Sequence, residues 1–162
     1  MDVSERHNDL ESRVAALEDR ERIREVLSAY GFNADLGRAN EYVDLFASDG
    51  VYDTGEVKIV GHEQLREMIA SPTGHHKVSI EGPGSQHIVL NLFIRVNGDT
   101  AWAEGYSVVL VSRPEGFVAH TAGYNHWDFE RSGADWVITL RRRSVVGGSE
   151  WGGETIRNYL TA

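Results

Sequence analysis

Apolar residues recur with two different periods along this chain, helical near the N-terminus and alternating after residue 86. Leu10, Val14 and Leu17 begin an amphipathic pattern that Ile23, Val26, Leu27 and Tyr30 resume at i, i+3, i+4 and i+7, with charged residues between them. That spacing predicts one long helix or two consecutive ones, with Tyr30 on the buried face and the first turns available to a partner subunit. Asp35 follows in the turn, just before Gly37, a good helix stop. Asn40 suits the N-cap of a short helix that carries Tyr42, Leu45 and Phe46 inward and stops at Asp49-Gly50, with a strand over 51–53. A third helix from about residue 62 to 70 buries Leu65, Met68 and Ile69 and ends before Pro72.

Beyond residue 86 come four β-rich runs, 86–96, 101–112, 117–130 and 136–146. Asn97-Gly98-Asp99, Arg113-Pro114-Glu115-Gly116 and Ser132-Gly133-Ala134-Asp135 supply the turn chemistry between them, which predicts an antiparallel meander. Helices first and strands afterwards indicate an α+β fold, helices packed on one face of a long curved sheet. Residues 1–162 are expected to form one domain with its core over about 17–146. The glycine-rich stretch from Gly147 to Gly153 reads as a hinge before a terminal flap or helix, with Trp151 an apolar cover for a pocket.

Strict alternation in the first run puts Ile88, Leu90, Leu92, Ile94 and Val96 on one face and His87, Val89, Asn91, Phe93 and Arg95 on the other. In the next run, Trp102, Glu104, Tyr106 and Val108 oppose Ala101, Ala103, Gly105 and Ser107. Both faces hold something to bury. Helices on one face and a second copy on the other resolve this, so a homodimer or homotrimer is expected, with an apolar strand face as its interface.

Charge and composition then narrow the chemistry. Sixteen Lys and Arg against 25 Asp and Glu give a net charge of −9, which repels a phosphate backbone and argues against a nucleic-acid partner. The absence of cysteine excludes disulfides, thiolate nucleophiles, iron–sulfur clusters and cysteine zinc sites. No apolar run reaches the length of a membrane span and the N-terminus opens into charged helix, so a soluble, cytoplasmic protein without a membrane partner is expected.

Most histidines resist a metal reading. His120 and His126 are an even number apart on one strand, hence expected on one face but roughly 20 Å distant at ~3.3 Å per residue. His75-His76 lies in a predicted loop without a His-Glu-x-x-His helix, and Gly82-Pro83-Gly84-Ser85 lacks the spacing of a phosphate loop or a nucleophile elbow. No metal or organic cofactor is called for. His87 by alternation alone belongs to a polar face, unless a β-bulge or an oligomer changes its surroundings.

Several segments together carry a resemblance. They are Ile23-Arg24-Glu25-Val26-Leu27-Ser28-Ala29-Tyr30 with Asp35, the stretch from Tyr42 to Tyr52, and Gly61-His62-Glu63-Gln64-Leu65. Two strand segments join them, His87-Ile88-Val89-Leu90-Asn91 and Trp136-Val137-Ile138-Thr139-Leu140-Arg141. In this order they resemble the SnoaL-like family of the nuclear-transport-factor-2-like superfamily, which includes scytalone dehydratase, bile-acid 7α-dehydratase and polyketide cyclases. The resemblance implies a cone-shaped α+β barrel around one pocket, and a catalytic set at His87, Asp35, Tyr30 and Arg141. Tyr52, Asn91 and Trp151 are the residues expected to contact substrate. The second histidine of scytalone dehydratase has no secure counterpart in His120 or His126.

What such a set can do follows from its chemistry. A neutral imidazole, with a reference pKa near ~6.5, can take a proton from carbon beside a carbonyl or from a hydroxyl. A carboxylate on its other nitrogen fixes the tautomer and stabilises the imidazolium, as in a serine-hydrolase triad. Tyr30 and Arg141 would serve a leaving hydroxyl or an oxyanion. The expected activity is a cofactor-independent lyase, isomerase or cyclase acting on a small apolar oxygenated molecule such as a polyketide, steroid or terpenoid. Epoxide opening and a non-catalytic ligand-binding or assembly module are the alternatives.

Overall fold

The structure, a computed structural model, describes residues 3–71 and 84–145. Helix α1 spans Val3–Asp35 without a break, so both apolar patterns belong to one rod, about 50 Å long at ~1.5 Å per residue. Its halves differ in what they meet. Ile23, Leu27, Tyr30 and Ala34 are buried, whereas Leu10, Val14 and Leu17 are exposed, so the core begins at Ile23 rather than at residue 17. The rod is pinned where the halves join. Asp19 accepts from both terminal nitrogens of Arg131 at 2.9 Å and from Trp136 Nε1 at 3.0 Å.

Asp35 is the last residue of α1 rather than part of the turn. Gly37, at φ 63°, closes the helix. There the Arg38 N–H bonds the Asn33 carbonyl at 2.9 Å and the Gly37 N–H bonds Ala34 at 3.3 Å, the paired contacts of a Schellman cap. Helix α2, Ala39–Val43, is shorter than the pattern predicts. The Leu45 carbonyl accepts from the Ile138 N–H at 2.8 Å, so the chain has joined the sheet before Phe46. Asn40 sits inside α2, whose N-cap is Arg38, and its side chain accepts instead from Arg66 Nε at 2.8 Å. Strands β1 (Phe46–Asp53) and β2 (Lys58–Val60) precede α3, Gly61–Ala70, which buries Leu65 and Ile69.

The meander comprises β3 (Ser85–Asn97), β4 (Thr100–Arg113), β5 (Gly116–Ser132) and β6 (Asp135–Val145). The six-stranded sheet runs β2-β1-β6-β5-β4-β3, antiparallel throughout except where β1 lies parallel to β6. Its inner face carries Ile94, Ala101, Ala103, Trp127, Phe129, Trp136 and Ile138, which pack with α1 and with Tyr42, Val43 and Phe46 in one core cluster. Helices followed by this curled, mostly antiparallel sheet make an α+β cone.

Register breaks decide which side chains face inward, and within the meander they overturn strict alternation in three places. Pairing of β3 with β4 slips between Leu90 and Phe93, where Asn91 adopts φ 53°. Ile88 and Leu90 therefore align with Val108 and Tyr106 on the outer face, while Ile94 and Val96 align with Ala103 and Ala101 on the inner one. Leu92, Ile94 and Val96 join the core, so the five-residue apolar face expected to meet a second copy does not exist as one surface. In β5, Ala119 pairs Leu110 and Thr121 pairs Val109, which leaves His120 as the extra residue. In β6, Ile138 pairs Phe129 and Leu140 pairs Asp128, which leaves Thr139 extra.

The outer face is aromatic and charged. Phe93 stacks with Trp102 at 6.4 Å, Trp102 with His126 at 6.3 Å, and the Arg95 guanidinium lies 4.4 Å from the Phe93 ring centre. Among the described residues, no helix is long and apolar enough to cross a membrane.

Candidate functional site

A cavity of about 240 Å³ opens between the C-terminal half of α1 and the inner sheet face. Tyr30, Tyr52, His87, Val89, Trp127 and Arg141 contribute to its wall, together with Ser107, Val109, His120, Thr121, Asn125 and Arg143. That is just below the roughly 300–1,000 Å³ of ligand pockets, so it suits a compact ligand.

Asp35 and His87 meet at one edge of this cavity. The His87 backbone N–H donates to the carboxylate at 2.9 Å, Ser85 Oγ donates at 2.8 Å, and His87 Nδ1 lies 2.6 Å from Asp35 Oδ1. Burial pushes the Asp35 pKa up, but the hydrogen bonds from the His87 ring, the His87 backbone and Ser85 outweigh it and hold the group below its ordinary value. Asp35 is therefore a carboxylate at neutral pH and can only accept. His87 Nδ1 must then be the donor, and Nε2 carries the lone pair of the neutral ring. The helix can approach this closely because residue 31 is glycine: a Cβ there would stand 2.9 Å from the His87 carbonyl oxygen.

Arg141 belongs to the opposite wall, three strands away on β6. It is 5% exposed, and its Nη2 donates to Asn125 Oδ1 at 2.7 Å, while Asn125 Nδ2 donates to Ser107 Oγ at 2.7 Å. Its guanidinium carbon lies 4.4 Å from the Tyr52 ring centre and 5.7 Å from that of Tyr30, so aromatic faces cushion the charge. Tyr30 packs on Tyr42 at 5.0 Å between ring centres. Burial first, opposed by the Arg141 charge, moves the Tyr30 phenol up to about 12, so it is a neutral donor at physiological pH.

A family model of the SnoaL-like domain matches residues 15–142. The chain belongs to the SnoaL-like family. An NTF2-like protein with a cystatin-like fold from Novosphingobium aromaticivorans is similar over 91% of this chain and 94% of its own, with 32% identity and a TM-score of 0.83. A candidate aromatic ring hydroxylase from the same organism shares 24% identity, covering 80% of this chain and 90% of its own at a TM-score of 0.67. A candidate dehydratase of the NTF2-like family from Streptomyces avermitilis shares 14%, covering 80% and 97% at a TM-score of 0.66. The last two carry the fold alone. No curated protein matches.

In this SnoaL-like domain His87, Tyr30, Arg141 and Tyr52 thus line one cavity, and Asp35 stands behind its wall, in contact with His87. Asn91 does not: the bulge turns it outward, where it is exposed and lines no part of the cavity. Trp151, the 147–162 flap and His75-His76 lie outside the described residues. His120 and His126 were expected on one face, but the bulge at His120 puts that residue on the cavity wall while His126 faces outward. There His126 Nδ1 is 3.0 Å from Glu104 and Nε2 is 2.9 Å from Asp128.

Sequence reasoning missed four polar wall residues, Thr121 among them. Asn125 and Ser107 alternate with aromatics on strands and carry no motif. Arg143 was hidden in the run Arg141-Arg142-Arg143, although its two-residue spacing from Arg141 placed both on one face. Among the described residues, no cluster of three or more His, Asp or Glu side chains is arranged to hold a metal.

Proposed function

We propose that this SnoaL-like domain is a cofactor-independent lyase, isomerase or cyclase of the dehydratase type. Its substrate is a small apolar molecule bearing oxygen, of the polyketide, steroid or terpenoid kind. The observation that supports this most is the Asp35–His87 contact of 2.6 Å at the wall of a cavity. With Nδ1 committed to the carboxylate, Nε2 is the atom that takes a proton from substrate, and Asp35 stabilises the imidazolium that forms. Tyr30 donates to the carbonyl or departing hydroxyl, and Arg141 offsets the negative charge that develops on oxygen.

Epoxide opening fits less well, because it calls for carboxylates that face the substrate, and no Asp or Glu occurs among the described wall residues. A pure binding or assembly role leaves the half-buried acid–base pair without a task. The homodimer or homotrimer remains part of the proposal, now through the outer sheet face, where Ile88, Leu90, Phe93 and Trp102 lie together.

Proton abstraction can be tested before the natural product is known. A panel of small enolisable ketones is incubated with the protein in D₂O and followed by NMR. His87-dependent incorporation of deuterium beside a carbonyl supports the reading, whereas no exchange above the His87→Ala background with any member sinks it.

A further inference from the structure

The cavity wall holds two guanidinium groups and, among its described residues, no carboxylate. Arg142, between them in sequence, points away and pairs with Asp53 at 3.6 Å, but neither Arg141 nor Arg143 makes an ion pair with any described residue. Arg141 is nine-tenths buried, and its Nε and Nη1 have no hydrogen-bond partner there. Buried cations are ordinarily paired, because a charge out of water is costly to leave uncompensated. Here the nearest compensation is uncharged, the faces of two tyrosines, the Tyr52 hydroxyl and one amide oxygen.

Arg143 is placed to bring an anion to this spot. Gly123 leaves room for its side chain, since a Cβ there would stand 3.2 Å from Arg143 Nε. Its Nη2 is anchored by Thr121 Oγ1, and its remaining N–H groups have no described partner. Burial, and then the like charge of Arg141, push its pKa down, against a smaller opposite effect of Tyr52 and Tyr30. The rest of the wall, with Val89, Val109, Trp127 and the tyrosine rings, is apolar or aromatic and suits a hydrocarbon body.

We propose that the substrate of this site is a compact apolar carboxylic acid whose carboxylate docks on Arg143 above the buried charge of Arg141. The inference rests on the cavity being the substrate site and names the substrate class; it does not depend on the proton-transfer step. A guanidinium presents parallel N–H donors that match the two oxygens of a planar carboxylate. The anion occupies the β6 side of the cavity, with the apolar body reaching toward His87 across β5 and β4. Arg143 is the residue that selects acids over neutral analogues.

Benzoate and benzamide, nearly identical in shape and different in charge, are the probes for calorimetric titration. Benzoate should bind at least roughly tenfold more tightly than benzamide, the increment expected of a charge-assisted hydrogen bond in place of a neutral one. Arg143→Gln should erase that difference and raise the melting temperature of the unliganded protein, because it relieves repulsion with Arg141. Arg143→Lys should retain part of the preference. His87→Ala should keep the preference for benzoate over benzamide, whatever its effect on the affinity of both, which separates this inference from failure of the general-base reading. Equal affinities for the two probes, no saturable benzoate binding, or a preference that survives Arg143→Gln would each overturn the proposal. Inorganic phosphate binding as tightly as benzoate would overturn the carboxylate assignment.

Discussion

His87 Nδ1 stands 2.6 Å from Asp35 Oδ1, and the backbone N–H of the same histidine bonds the same carboxylate at 2.9 Å. One residue is thus held twice by one side chain, so ring orientation and strand position are fixed together. His87→Ala should lower the turnover rate by about 10²- to 10⁴-fold, with Asp35→Asn comparably damaging because an amide can present the wrong tautomeric partner. Single-turnover kinetics on the double variant should give a rate hardly below the worse single variant, since the pair acts as a unit. Near-full activity in His87→Ala would refute the mechanism while leaving the fold intact.

Tyr30→Phe should reduce kcat by less than His87→Ala does, with little change in KM, because the phenol acts on oxygen as its charge develops. Steady-state kinetics separate the two constants. A rise in KM at constant kcat would reassign Tyr30 to ground-state binding.

His126 makes stability depend on pH. Burial pulls its pKa down, but hydrogen bonds from the ring to Asp128 and Glu104 outweigh burial and raise it above its ordinary value. A group whose folded pKa is raised contributes most below the unfolded value of about 6.5, and that contribution disappears as pH climbs through the folded value. The melting-temperature difference between wild type and His126→Asn should therefore be largest near pH 6 and shrink as the solution becomes alkaline. A difference that stays constant from pH 6 to 9 would show that His126 acts through packing alone.

Light scattering should report a dimer or trimer at micromolar concentration. Leu90→Lys, on the outer face, where Leu90 is 45% exposed, should shift it toward monomer without lowering the melting temperature of the monomer itself. Ile94→Lys, by contrast, should unfold the domain, because Ile94 lies in the core. A monodisperse monomer in wild type would remove the self-association proposal.

Activity should survive exhaustive dialysis against chelator and require no nicotinamide or flavin, since His87 and Asp35 supply the proton transfer by themselves. Assay of the dialysed protein, with and without added divalent metals, decides this. Loss of activity restored by one metal would contradict it.

Much of the arrangement was legible in the amino-acid pattern because helices and turns are local. Ile23 to Tyr30 announced the buried face of α1, and Gly98 and Gly133, at φ 61° and 65°, mark turns where they were expected. The site was legible only through a resemblance, because its inward residues depend on interruptions of alternation. Arg141 lies five positions after Trp136, an odd number, and faces the same way only because Thr139 is inserted between them. His87 and Ile94 share the inner face across an odd separation for the same reason, with the break at Asn91. A bulge is set by how two strands pair over a long sequence distance, so period-two counting cannot find it.

Gly31 carries a consequence for how this domain can change. At that point the helix meets β3 backbone against backbone, with His87's own carbonyl as the surface of contact. No side chain serves as the spacer, so no exchange of rotamer or of core residue can lengthen or shorten the gap between the acid and its histidine. The wall residues Val89, Val109, Thr121 and Arg143 sit on other strands or further along this one and are under no such constraint. A lineage could therefore remodel the cargo space residue by residue while the proton-handling pair keeps its spacing, and a single methyl group at position 31 would undo what none of those replacements touches.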